Sequence, residues 1–160
     1  MARDSRRQRL LLVGLAGGAI LGLALWGGLR ARGPGGTAPQ GAADDTEARV
    51  NVLALCDAVQ AYRAEHGVYV TAGPTPKEIP PGGRAVPFPE DEAFHRIGFE
   101  PEGKVRFQYQ VVVLESPVGE PEVSCLARGD FDGDGQNSVY RVRLDANGMT
   151  TPIEVERAGE

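Results

Sequence analysis

The chain has only two cysteines, two histidines and one tryptophan in 160 residues. Cys56 and Cys125 lie far apart, with no Cys-x-x-Cys spacing and no histidine nearby, which excludes the usual zinc and dithiol redox motifs. His66 and His95 have no nucleophile or ligand pattern around them, and Ser124 lacks a nucleophile-elbow context. Glu90-Asp91-Glu92 has the character of a solvated helix start, not of an acid/base pair. No constellation supplies the paired roles that catalysis needs, so the chain reads as a non-enzyme with no evident small-molecule substrate. Charge is also unevenly missing. No acidic residue occurs over residues 5–43, whereas Arg3, Arg6, Arg7, Arg9, Arg30 and Arg32 lie there or just before, opposed only by Asp4. The remainder holds 11 basic against 21 acidic residues, a formal −10 within a chain of net −5. An acidic domain repels phosphate backbones, which argues against a nucleic-acid partner.

What is present falls into four parts. Residues 1–9 are basic, and residues 10–29, LLLVGLAGGAILGLALWGGL, form an uncharged run of the length that spans a bilayer as a helix. Four arginines before the run against two after it predict a cytoplasmic N-terminus and an exported C-terminal domain, with Trp26 near the far interface. A cleaved secretory signal is the competing reading. The run is long for a signal h-region, and no convincing small-x-small cleavage site follows Trp26. Ser5-Arg6-Arg7 partly matches a twin-arginine export signal, but Arg9 stands where that pattern prefers an apolar residue. Residues 30–43 are a Gly/Pro/Ala linker without an apolar face, so the exported domain is expected over residues 44–160.

That domain is organised around residues 45–67. Val52, Leu55, Cys56, Val59 and Tyr62 recur at three- and four-residue intervals, which puts them on one face of an amphipathic helix. Asp44, Asp45 or Thr46 would cap its start, and Gly67 would end it in the left-handed conformation. Residues 71–89 carry six prolines and read as a surface loop, because proline neither continues a helix nor donates to a sheet. A short helical turn follows, with Phe94, Ile97 and Phe99 as anchors. Residues 105–113 alternate as a half-buried strand: Val105, Phe107, Tyr109, Val111 and Val113 lie on one face. Val123, Cys125 and Ala127 form a second inward set, and Tyr140, Val142 and Leu144 a third. Asn147-Gly148 signals a hairpin before a weaker last strand broken by Pro152. The predicted class is α+β: a transmembrane helix, then one amphipathic helix packed on an antiparallel sheet of three or four strands.

Two side-chain groups stand out. Cys56 on the helix's apolar face and Cys125 on the second strand's inward face would meet as a disulfide in an oxidising compartment, closing a loop worth about 3–4 kcal/mol. The alternative is two small buried thiols that never meet. Asp130-x-Asp132-x-Asp134-Gly135 has the opening spacing of an EF-hand-type calcium loop, in which alternate carboxylates and a sharp turn present hard oxygens to one cation. The Gln136 carbonyl and the Ser138 hydroxyl would complete the set, with bound Ca2+ structural. Arg141 occupies the twelfth position, where such a loop needs a bidentate glutamate, and no helix pair flanks it. An empty, solvated acidic turn is the other reading.

Residues 47–55, EARVNVLAL, and 61–69, AYRAEHGVY, resemble the post-membrane helix of type IV pilin-like proteins and pseudopilins. Ile97-Gly98-Phe99 with Pro101, the strand at 105–113 and the Gly129–Gly135 turn are similar to later parts of the same heads. The resemblance covers about residues 44–145. The family's leader ending in glycine, and its glutamate at the fifth position of the apolar helix, have no counterpart here. The resemblance implies a pilin-like head in a Gram-negative envelope. It would be anchored in the inner membrane, face the periplasm, and have other pilin-like or envelope proteins as partners in a type IV pilus, type II secretion-like or related assembly. A membrane-tethered calcium-binding or ligand-sensing module built on residues 130–134 is the alternative.

Overall fold

The computed structural model describes residues 40–160, with side chains from Asp45 onward. The basic N-terminus, the expected spanning run at 10–29 and most of the expected linker lie outside these described residues. Among the described residues no helix is long and apolar enough to cross a membrane.

The long helix α1 (Gln40–His66) begins within the segment read as linker. Asp45 is therefore inside the helix and not at its cap, and its carboxylate accepts from Arg49 Nε at 2.7 Å, one turn on. The apolar stripe is buried as its spacing predicts: Ala48, Val52, Leu55, Cys56 and Val59 are inaccessible or nearly so. Tyr62 packs against the same core. The helix ends where Gly67 turns left-handed (φ 77°) and its amide donates to the Arg63 carbonyl at 2.7 Å.

The helix lies against one face of an antiparallel sheet whose strands, in spatial order, are β1 (Ala72–Thr75), β4 (Gln108–Leu114), β5 (Glu122–Gly129), β6 (Ser138–Leu144) and β7 (Glu154–Glu156). Its centre is a meander of β4 (Gln108–Leu114), β5 (Glu122–Gly129) and β6 (Ser138–Leu144). Register places Val111, Cys125 and Val142 in one row, Tyr109, Ala127 and Tyr140 in the next, and Val113, Val123 and Leu144 in a third. These rows are the inward sets read from alternation, and all but the half-buried Val113 are buried. Each fully buried valine or leucine in this layer contributes roughly 1.5–3 kcal/mol.

The sheet has five strands, not three or four. One of the additional strands, β1 (Ala72–Thr75), comes from the proline-rich segment read as loop and pairs with β4 across a bulge. Proline is tolerated there because β1 is an edge strand, where a missing N–H leaves no partner unpaired. At the other edge β7 (Glu154–Glu156) pairs with residues 139–141 after the turn at 145–149, which is closed by Gly148 N to Asp145 O at 2.8 Å. The strand expected over 105–113 is interrupted. β3 (Lys104–Val105) pairs with β2 (Val86–Pro87) in a separate ribbon, and the Arg106 amide donates to Glu47 Oε1 of α1 at 2.8 Å. A helix carboxylate thus takes an amide that an unbroken strand would have offered to a neighbour.

The short helix α2 (Glu92–Ile97) is capped by Asp91, whose side chain accepts from the amides of Ala93 and Phe94, and it ends on left-handed Gly98. Phe94, Ile97 and Phe99 are buried, as their spacing predicts. Phe94 and Phe99 join Phe88 and Tyr109 in an aromatic cluster with ring centroids 5.4–6.2 Å apart. Phe107, Phe131 and Tyr140 form a second cluster under the far end of the sheet.

Candidate functional site

The acidic loop between β5 and β6 is held on the core by its own second residue. Phe131 packs on Phe107, with ring centroids at 5.2 Å, while the Asp130 carbonyl accepts from the Gly83 amide at 3.0 Å. Pinned in this way at its start, the loop projects Asp132, Gly133, Asp134, Gly135 and Gln136 into solvent. Carboxylate oxygens of Asp130, Asp132 and Asp134 lie within 4.8 Å of one another. Two oxygens bound to one calcium ion at roughly 2.3–2.6 Å can be no farther apart than about 5 Å, so the three carboxylates are close enough to share a cation.

Local hydrogen bonds shape this cluster. Gly133 N donates to Asp130 Oδ1 at 2.8 Å, Asp134 N to Asp132 Oδ1 at 3.1 Å, and Gln136 N to Asp134 Oδ1 at 2.7 Å. These successive side-chain turns are what aspartate favours in tight loops. The Gln136 backbone amide, helped by its side-chain amide, holds the Asp134 carboxyl below the ordinary carboxylate range. Asp134 is therefore ionised at neutral pH.

Gln136 and Ser138, the other two predicted ligands, make contacts of their own. The Gln136 side-chain amide faces Asp134, to which Nε2 donates at 2.8 Å. Ser138 is buried at the start of β6, and its hydroxyl donates to the Gly129 carbonyl at 3.3 Å across the base of the loop. Arg141 points to the β7 edge, 3.8 Å from Glu154 and 3.5 Å from Glu156.

Cys56 and Cys125 are joined as a disulfide between α1 and β5, with Cα atoms 5.7 Å apart. His66 stacks on Tyr62, ring centroids 4.1 Å apart, at the end of α1. Asp91 caps α2 and accepts from the Thr75 hydroxyl at 2.6 Å, and Glu92 pairs with Arg96 at 2.8 Å.

Sequence reading missed a cleft of about 700 Å³ beside α2. Phe88, Phe94 and Phe99 line it together with Glu90, Glu92 and Glu100. The acidic residues and the aromatic residues were each visible in the sequence. Their convergence was not, because it depends on α2 folding back over the ring cluster. No family model, curated protein or solved structure matches this chain.

Proposed function

We propose that this protein is a non-enzymatic, single-pass envelope protein. It presents a pilin-like head on the periplasmic side of an inner membrane and works through protein–protein contacts in a type IV pilus, type II secretion-like or related assembly. The observation that carries the reading is the arrangement of the described residues: one long helix buries one stripe against an antiparallel meander, in the order expected of such a head. The uncharged run at 10–29 and the arginines before it supply the anchor in this reading. The edges β1 and β7 and the proline-rich segment between β1 and α2 offer contact surface.

The test is the location of the native protein coupled to its intact mass. Sheared surface filaments, membranes and soluble periplasm are separated, and the protein is weighed in each fraction. Full-length protein confined to the inner membrane is the expected result. A shortened form recovered from the filament fraction would make it a processed filament subunit, and recovery from the cytosol would defeat the reading.

A second reading rests on the three converging carboxylates. In this reading the head binds Ca2+ at Asp130, Asp132 and Asp134, where the ion relieves their mutual repulsion and stiffens the loop. Millimolar calcium should raise the melting temperature, and Asp132→Asn should remove the rise. A rise that survives the substitution would move the site elsewhere, and no rise at all would remove the metal.

A further inference from the structure

We propose that the cleft beside α2 is a binding site for an extended organic cation, one carrying ammonium or guanidinium groups on an apolar stem. The cleft holds about 700 Å³, the size of an ordinary small-ligand or short-peptide site. Its floor is aromatic: Phe94 and Phe99 are buried, and Phe88 is half-buried against both. Its rim is acidic and comes from both ends of α2, with Glu90 and Asp91 before the helix, Glu92 in its first turn and Glu100 after it. Among the described residues that line it there is no lysine or arginine, and His95 is the only basic group.

The four carboxylates are not equivalent. Asp91 is committed to the helix cap and to Thr75, and Glu92 to Arg96. Glu90 and Glu100 are exposed and are the two rim acids with no hydrogen bond or ion pair among the described residues. Of the three rings Phe88 is the one that keeps accessible surface, and carboxylates beside such a ring select cations that are poorly hydrated and carry hydrocarbon, because the ring attracts positive charge and covers the stem. Acids on both sides of α2 favour a ligand with two positive groups over a single point charge. A polyamine and a dibasic peptide segment share this chemistry, and the site is assigned on it independently of any assembly the protein joins.

The experiment is calorimetric titration of the full-length protein in a nonionic detergent, with spermidine in one arm and a short lysine–alanine–lysine peptide in the other. Saturable binding of either probe is expected, weakened about tenfold by the pair Glu90→Gln and Glu100→Gln and about threefold by Phe88→Leu. Glu65→Gln, at the exposed end of α1, should leave binding unchanged. Preference for spermidine would identify a free amine as the ligand, and preference for the peptide a side chain on a partner. Absence of saturable binding in both arms would overturn the proposal. So would equal weakening by Glu65→Gln, or indifference to Phe88→Leu, since either would reduce the effect to general attraction by an acidic surface.

Discussion

Asn51 of α1 donates its side-chain amide to the hydroxyl of Tyr109 on β4 at 2.8 Å, linking helix and sheet at a point where the tyrosine is wholly buried. Glu47, one turn earlier, accepts from the same hydroxyl at 3.4 Å and from the Arg106 amide at 2.8 Å. Burial pushes the Tyr109 phenol far above its ordinary ionisation range, so it stays neutral and serves both partners. These bonds fix the axial position and rotation of α1 on the sheet, which non-directional apolar contact alone would leave less defined. Tyr109→Phe keeps the ring but loses the hydroxyl, and should cost about 1 kcal/mol because half-buried Asn51 can turn to water. Tyr109→Ala also empties the aromatic cluster and should cost about 3–5 kcal/mol. Urea unfolding of both variants checks the difference.

The disulfide closes a loop of sequence separation 69. On the chain-entropy account, opening it should lower unfolding stability by about 4 kcal/mol. Replacing Cys56 and Cys125 together by alanine, followed by denaturant unfolding, measures this. Near-UV circular dichroism should remain native-like, because Val52, Leu55, Val59 and Val142 still bury the interface.

The acid limb of the stability curve should report on Asp91. Burial on its own would raise its pKa, but the Thr75 hydroxyl and the amides of Phe94 and Ala93 together hold the carboxyl below the ordinary value of 3.8. A carboxyl depressed in the fold adds stability above its unfolded pKa, and that contribution is lost as pH falls through the folded one. The loss should therefore set in from about pH 4 downwards. Asp45 is depressed by Arg49, and then by Tyr140, and adds a loss of the same sign. Asp91→Ala should cost about 1 kcal/mol at neutral pH and flatten the limb. Thermal unfolding between pH 2.5 and 7 compares the two proteins.

Gly83 should not tolerate a side chain. Its φ is +62°, and a Cβ built there would overlap the ring of Phe131. Gly83→Ala should destabilise by about 1–3 kcal/mol. Because Phe131 pins the acidic loop, the change should also disturb the carboxylate cluster. Phe131→Leu in the same chain should recover part of the lost stability, which a double-mutant cycle would show as coupling.

Much of the packing was legible because burial on one side leaves a period in the residues. The stripe at Val52, Leu55, Cys56 and Val59 and the alternation through Tyr109 and Val111 each mark an element and its inward face. The same alternation bears on the candidate metal set. Ser138 shares parity with inward-facing Tyr140, Val142 and Leu144, and its hydroxyl is turned to Gly129. Asp130, Asp132 and Asp134 were legible as a cluster because the chain turns back on itself within a few residues there.

The sequence by itself determined which residues face the core, where the acidic loop stands and which cysteines share the interface between helix and sheet. The tertiary structure alone decided that a proline-rich stretch would supply a fifth strand. It also decided that Glu47 would break a strand at Arg106, 59 positions away, and that α2 would gather Glu90 and Glu100 over an aromatic floor. Periodicity records whether a residue is covered, one element at a time. It carries no information about which distant backbone amide, edge or ring does the covering, because those partners meet only after the chain has closed loops of tens of residues.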